Sequence, residues 1–426
     1  MALQLLYVTQ AEAVQVYERR SDGSLTHRED FLLPGAGAIN AWALSTAGGG
    51  AGRRILTLAT NDQLISCAID PLTGSLHRVS ACPHAVDGDA LSYLSLDRTG
   101  RWLFSVYYSG GLCAVHPVSP DGSLPPNATP TCVVKLTQGS HCIAVDADNT
   151  TVYVPEVAAI NHVEGSRIQI LDFDESTGAL TLRGAVIPPP CAEDLTLGPA
   201  VELSTRFSEA LWEDGKLIGP RNRFNSRCEP GPRHFCFSPT AQGQLYIANE
   251  QGNSVSHYRP TDGGSLEEVA TVESVPATYP DPGVVDLSGP HTVGGCSHTS
   301  EIHTHPNGGT LFVSNRGYDS IACFALDPAS GSILSETLTS EALTSHTPQC
   351  FDLDPAGEYL YAGGGPSRTG GPHPGLDFVP EGSTEGTLTV FRVVGHGLEQ
   401  VAKTALQMGA PGWVVPVDLL GRGGKL

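Results

Sequence analysis

Apolar and polar residues alternate along most of this chain with a period of two, in short runs punctuated by glycine. Pairs of runs such as LLYVTQ and VQVYER, RWLFSVYY and LCAVHPV, QLYIANE and SVSHYRP, and TLFVSNR and IACFALD are rich in aromatic and β-branched residues. That pattern predicts half-buried β-strands rather than helices. A tight turn follows each pair: SDGSL at Gly23, LTGSL at Gly74, PDGSL at Gly122, STGAL at Gly178, DGGSL at Gly264, ASGSI at Gly331 and, more loosely, GHGL at Gly397. Glycine after Asp, Thr or Ser suits the positive-φ position of a hairpin turn.

A further strand opens each later unit: INAWALS from Ile39, SYLSLD from Ser92, HCIAVDAD from His141, RHFCFSP from Arg233, SEIHTHP from Ser300 and QCFDLDP from Gln349. Each unit is therefore an inner, a second, a third and an outer strand, the outer one following the glycine turn. The first unit lacks its inner strand, and WVVPVDL from Trp413 is a strand with no later partner. Adding that last strand to the first unit closes a ring and removes exposed sheet edges. Seven repeats of four strands predict an all-β, seven-bladed β-propeller with four antiparallel strands per blade. Residues 1–426 read as a single propeller domain, with loop insertions at about 182–230, 269–299 and 364–386.

Composition narrows the function classes. The 426 residues include 49 Gly and 32 Pro but only 16% charged residues, which favours short strands and turns over a helical bundle. A net charge of −21 repels phosphate backbones, so nucleic acid is not an expected partner. The chain has no basic amphipathic run and no apolar stretch of 18 residues, and MALQLLYVTQ lacks the charged flank of a signal peptide, so no membrane contact is expected. The eleven cysteines form no C-x-x-C pair, and several lie in apolar runs. A reducing, cytoplasmic setting is the expectation.

In an antiparallel blade, the start of the inner strand and the end of the second strand lie on one face of the ring. The chain places His141, Arg233 with His234, Glu301 and Gln349 at inner-strand starts, and Glu156, Glu250 and Arg316 at second-strand ends. The opposite ends carry ordinary turns such as DADN and HPNGG. Cations, carboxylates and imidazoles thus gather at one mouth, where the insertions also fall, as lids and specificity walls do.

Arg233 and Arg316 are candidates to bind an anion and to stabilise a developing oxyanion. The alternative for them is a structural pair with Glu250. Glu250 and His141 are candidates for proton transfer. His303, His305 and Glu301 alternate on one strand, but three neighbours on a straight strand rarely converge on one ion, so no metal is expected. Arg221, Arg223 and Arg227 read chiefly as solvated surface that could extend an anion site. A G-x-S-x-G elbow, a P-loop and a dinucleotide fingerprint are all missing from the sequence.

The motifs GPRH at Gly231, YIANE ending at Glu250 and SEIHTHPNGGTLFVSNRG from Ser300 resemble the lactonase-type seven-bladed propellers. That family includes propeller 6-phosphogluconolactonases and fungal 3-carboxy-cis,cis-muconate cyclases. The resemblance implies a metal-free site whose catalytic histidine, arginines and glutamate match His141, Arg233, Arg316 and Glu250; no cofactor is expected, and by their place at the mouth His234, Glu301, His303 and Gln349 are the expected substrate contacts. Where family members often end the second strand of that sector in V-A-N-Y, this chain has Tyr107 and Tyr108. The expected activity is opening of a small anionic sugar lactone, first 6-phosphogluconolactone. A lactone-forming muconate cycloisomerase acting on a small carboxylate is the alternative, and a non-catalytic interaction platform the rival from another class.

Overall fold

The computed structural model describes residues 3–45, 54–85, 91–157, 166–189, 211–213, 216–218, 230–276, 297–335, 337–344, 347–365, 386–406, 409 and 411–419. They form seven four-stranded antiparallel sheets and one two-stranded hairpin, Leu211–Glu213 with Lys216–Ile218, inside the first insertion. The second to seventh blades open on the inner strands Ala41–Ser45, Leu91–Leu96, Ala144–Val145, Pro232–Phe237, His298–Thr304 and Pro348–Leu353. Among the described residues no helix is long and apolar enough to cross a membrane.

The first blade takes its inner strand from the far end of the chain. Trp413–Leu419 pairs antiparallel with Leu3–Gln10, from Leu3↔Leu419 to Thr9↔Trp413. This strand buries Val414, Val415, Val417 and Leu419, and each such side chain is worth about 1.5–3 kcal/mol when removed from water. The core has the symmetry of the ring. Seven apolar clusters lie between neighbouring blades, and one of them joins Tyr361 and Val390 of the seventh blade to Leu6, Val8 and Val414 of the first.

Six of the seven expected turn glycines have positive φ: Gly23, Gly74, Gly122, Gly178, Gly264 and Gly331. In the seventh turn that role falls to Gly395 (φ 60°), because the third strand ends at Val394 and Gly397 already begins the outer strand.

Two local irregularities position the mouth. The inner strands of blades 3, 5, 6 and 7 slip register at their mouth ends, between Leu91 and Tyr93, Pro232 and Phe235, Thr299 and Ile302, and Pro348 and Cys350. Such bulges re-aim side chains that a flat strand would send to opposite faces. In blade 4 the inner strand is reduced to Ala144–Val145, plus a lone bridge between Ser140 and Glu156. The backbone before it turns at Gly139 (φ 92°), where a Cβ would come within 2.1 Å of the Val157 carbonyl oxygen. Only glycine fits there, and His141 follows two residues later.

Candidate functional site

The same ladder position recurs in successive blades. The amide of Val157 donates to the Gly139 carbonyl, and the amide of Glu250 donates to the Gly231 carbonyl. His141 is thus the counterpart of Arg233, Val157 of Glu250, and Glu156 of Asn249. In blade 6, Thr299 pairs with Asn315 and His298 with Arg316, which puts Arg316 on the rung of Glu250. Side chains from equivalent rungs of three neighbouring blades make the site.

Its outer layer is an ion triad. Arg316 Nη2 donates to Glu250 Oε1, and Arg233 Nε lies 3.7 Å from Glu250 Oε2. Arg233 Nη1 donates to the Ser300 carbonyl at 3.0 Å. Two guanidinium groups around one carboxylate leave one positive charge. Arg233 is almost wholly buried, whereas Glu250 and Arg316 keep 19% and 16% of their side-chain surface exposed. Charge can therefore be met from solvent at this point. Arg233 Nε and Arg316 Nε, both buried, make no hydrogen bond among the described residues. Burial would raise the Glu250 carboxyl, but Arg316 and Arg233 outweigh it and hold the group well below the usual carboxylate range. Burial and the neighbouring Arg316 charge push Arg233 down to about 10.

Behind the triad runs a chain of imidazoles. His141 Nδ1 lies 3.1 Å from His234 Nε2, and His234 Nδ1 lies 3.0 Å from Glu301 Oε1. Burial first, then the Arg233 charge, holds both imidazoles well below their ordinary value, so both are neutral at neutral pH. Glu301 is raised by burial, against the pull of His303 and Arg233. His234 lies parallel to the Trp413 indole at 5.9 Å between centroids, and Tyr93 packs edge-on to both. Tyr108 stands edge-on to His141 on its other side.

The remaining expected residues separate. His234 and Glu301 are each 1% exposed, packed behind His141 and away from the surface of the mouth. His303 lies 3.5 Å from the same Glu301 oxygen and lines a cavity of about 310 Å³ with Trp42, Tyr93, Phe351, Asp352 and Trp413. Burial pushes the Asp352 carboxyl there up to about 8. Gln349 is exposed, and its carbonyl accepts from the Ser300 hydroxyl at 2.8 Å. His305 lies beyond the strand and meets the Gly357 carbonyl at 3.0 Å. No group of three or more His, Cys, Asp or Glu among the described residues could hold a metal ion. Arg221, Arg223 and Arg227 lie outside the described residues.

Trp413 and Tyr93 were missed as site residues, although both stand at the mouth ends of inner strands and the strand-direction argument reaches them. Glu156 has the opposite outcome. Its oxygens accept the Thr137 amide at 2.9 Å, the Ser140 hydroxyl at 3.1 Å and the Gln169 amide at 2.9 Å, and it is 1% exposed. It braces its own blade.

Residues 55–159 and 210–369, well over half of the chain, match the family described as lactonase, 7-bladed β-propeller. The chain belongs to that family. Among curated relatives, the 6-phosphogluconolactonase of Pectobacterium atrosepticum is 27% identical over 278 residues, 65% of this chain and 64% of that protein. The 6-phosphogluconolactonase of Xenorhabdus nematophila is 25% identical over 291 residues, 68% of each. The chain thus matches slightly less than two thirds of the length of the first of these. A solved periplasmic gluconolactonase from Pseudomonas aeruginosa superposes with a TM-score of 0.67 at 19% identity, covering 99% of this chain and 100% of that one. A protein from Lactobacillus plantarum superposes at 0.65 and 18% identity, covering 98% and 100%. At these identities the structural likeness speaks for the fold of this lactonase-family chain.

Proposed function

We propose that this chain is a lactone hydrolase acting on a small anionic sugar lactone, with 6-phosphogluconolactone the first substrate to test. The observation that carries the reading is the Arg233–Glu250–Arg316 triad, one net positive charge beside the neutral imidazole of His141. The names of the curated relatives support the same substrate class.

In this reading Arg316, the more exposed guanidinium, meets the substrate anion, and Arg233 faces the lactone carbonyl oxygen. His141 takes a proton from water as the water oxygen bonds to the carbonyl carbon. The carbonyl π pair moves to oxygen, where the arginines stabilise it. Re-forming the C=O bond breaks the bond to the ring oxygen, which takes the proton back from His141. One water is consumed, one hydroxy acid is formed, and no cofactor enters. The two arginines occupy both Glu250 oxygens and lower their affinity for a proton, so the role of Glu250 is to orient and partly neutralise them. Gln349 and His303 are assigned as neutral contacts to sugar hydroxyls. We place this activity in the cytoplasm, a reading supported by the eight described cysteines, all of which are free thiols.

Purified protein assayed against 6-phosphogluconolactone and 3-carboxy-cis,cis-muconate decides the matter, with Arg316→Ala and Glu250→Ala alongside. The expected result is lactone opening that both substitutions cripple. Turnover of muconate alone would transfer the site to cycloisomerisation, and no turnover of either would end the enzymatic reading. Activity untouched by both substitutions would move the site elsewhere.

A further inference from the structure

The Glu301 oxygen that faces His234 is already an acceptor. The amide of Ile302 donates to Glu301 Oε1 at 3.2 Å, and His303 Nε2 stands 3.5 Å from the same atom. The other oxygen, Oε2, is buried and makes no hydrogen bond among the described residues, so a hydroxyl placed there would be a donor without a partner. With Glu301 ionised, both of its oxygens can only accept, and Oε1 receives the hydrogen of His234 Nδ1, at 3.0 Å. A neutral imidazole carries one N–H. With Nδ1 protonated, His234 Nε2 has only a lone pair, and the 3.1 Å contact to His141 requires His141 Nδ1 to be the donor. His141 Nε2, which makes no hydrogen bond among the described residues, is left with its lone pair free.

We propose that Glu301 and His234 are positioning residues that fix His141 in its Nδ1–H tautomer, with Nε2 as the atom that exchanges the proton. The inference rests on the hydrolase reading for the role of His141, but the tautomer itself does not. When Nε2 takes a proton from water, the imidazolium keeps its Nδ1–H on His234, whose own Nδ1–H points to Glu301. No proton needs to leave the chain, and the carboxylate at its end stabilises the new positive charge through two polarised hydrogen bonds. The flat Trp413 indole and the edge of Tyr93 stop the His234 ring from turning. Bulges in blades 5 and 6 make the line possible. Arg233 and His234 are consecutive, yet one meets Glu250 and the other meets His141 and Glu301.

Two measurements test this. The first is long-range proton–nitrogen NMR of wild-type protein labelled with 15N-histidine, with His141→Gln to assign the ring. The expected result is a neutral His141 with Nδ1–H, and a protonated Nε2 would overturn the proposal whether or not any substrate is turned over. The second is steady-state kinetics on 6-phosphogluconolactone with His141→Ala, His234→Ala and Glu301→Gln. His234→Ala and Glu301→Gln are expected to lower kcat roughly 10- to 100-fold, leave KM within about twofold, and shift the acidic limb of the kcat profile. A raised KM with unchanged kcat would make the two residues substrate contacts and sink the relay. Full activity in His141→Ala would instead sink the assignment of His141 as the base, leaving the tautomer result standing.

Discussion

Glu156 in the fourth blade and Glu250 in the fifth both follow an apolar second strand toward the mouth, and they stand one rung apart. Glu156 shares the rung of Asn249, whose side chain donates to Ser254 and Ser256 of its own blade. Asn315, on that rung in blade 6, donates to Ser320 of its own blade and to the carbonyl of Ser274, which follows the outer strand of blade 5. This rung braces the blades through neutral hydrogen bonds. The next carries Val157, Glu250 and Arg316, and there the side chains of blades 5 and 6 reach across to each other. One residue of offset separates an acid that takes its hydrogen bonds from neutral donors, with a single guanidinium at 3.6 Å, and is raised by burial, from an acid held between two guanidinium groups and kept low. The charge of the neighbours, more than depth, decides what each carboxylate can do.

The widest separation between the two rungs is expected in catalysis. Arg316→Ala should reduce kcat/KM on 6-phosphogluconolactone roughly 1,000-fold, the cost of losing the guanidinium that meets the substrate anion. Arg167→Ala removes a guanidinium 3.6 Å from Glu156 and should leave kcat/KM within about twofold, because that pair braces blade 4 and holds no member of the triad. Equal losses in both would erase the distinction. A second contrast concerns the two glycines that end these ladders. Gly139→Ala drives a Cβ onto the Val157 backbone oxygen, whereas at Gly231 (φ 64°) the obstruction is the Gln251 side chain at 2.9 Å. Thermal unfolding should show a loss of about 3 kcal/mol for Gly139→Ala and about 1 kcal/mol for Gly231→Ala. Similar losses would mean that blade 4 relaxes as freely as blade 5.

The smallest effect is one of sign. Glu250 is depressed below its ordinary 4.5, so its contribution to stability is present above that pH and fades as pH falls through the folded value. Glu156 is raised above 4.5, so its contribution is complete below that pH and is lost as pH rises through the folded value. Denaturant unfolding followed against pH should therefore change slope in opposite senses, below pH 4.5 in Glu250→Gln and above it in Glu156→Gln. Slopes of one sign would refute the contrast.

The ring was legible in the sequence because its marks are local. A glycine with φ near 80° must be a glycine, and a strand without a partner at each end must find one. The seventh turn was displaced by two residues because Gly395 and Gly397 both satisfy the pattern. The ion triad was legible too, since strand direction alone brings Arg233, Glu250 and Arg316 to one mouth. The imidazole chain was not. Period-two reasoning sends Arg233 and His234 to opposite faces, and no residue type announces the bulge that brings both inward. Glu156 was grouped with Glu250 for the same reason, because sequence spacing does not reveal on which rung a strand stops pairing.

The strand that completes the first blade also has a consequence in time. Trp413 stacks on His234 from a strand whose first amide donates to the Thr9 hydroxyl, a contact that spans 404 positions of the chain. Contacts of such separation form late. The wall that holds the imidazoles in line is thus expected among the last pieces to arrive, so that a ring short of closure would have the arginines of its mouth but lack the indole that steadies its base.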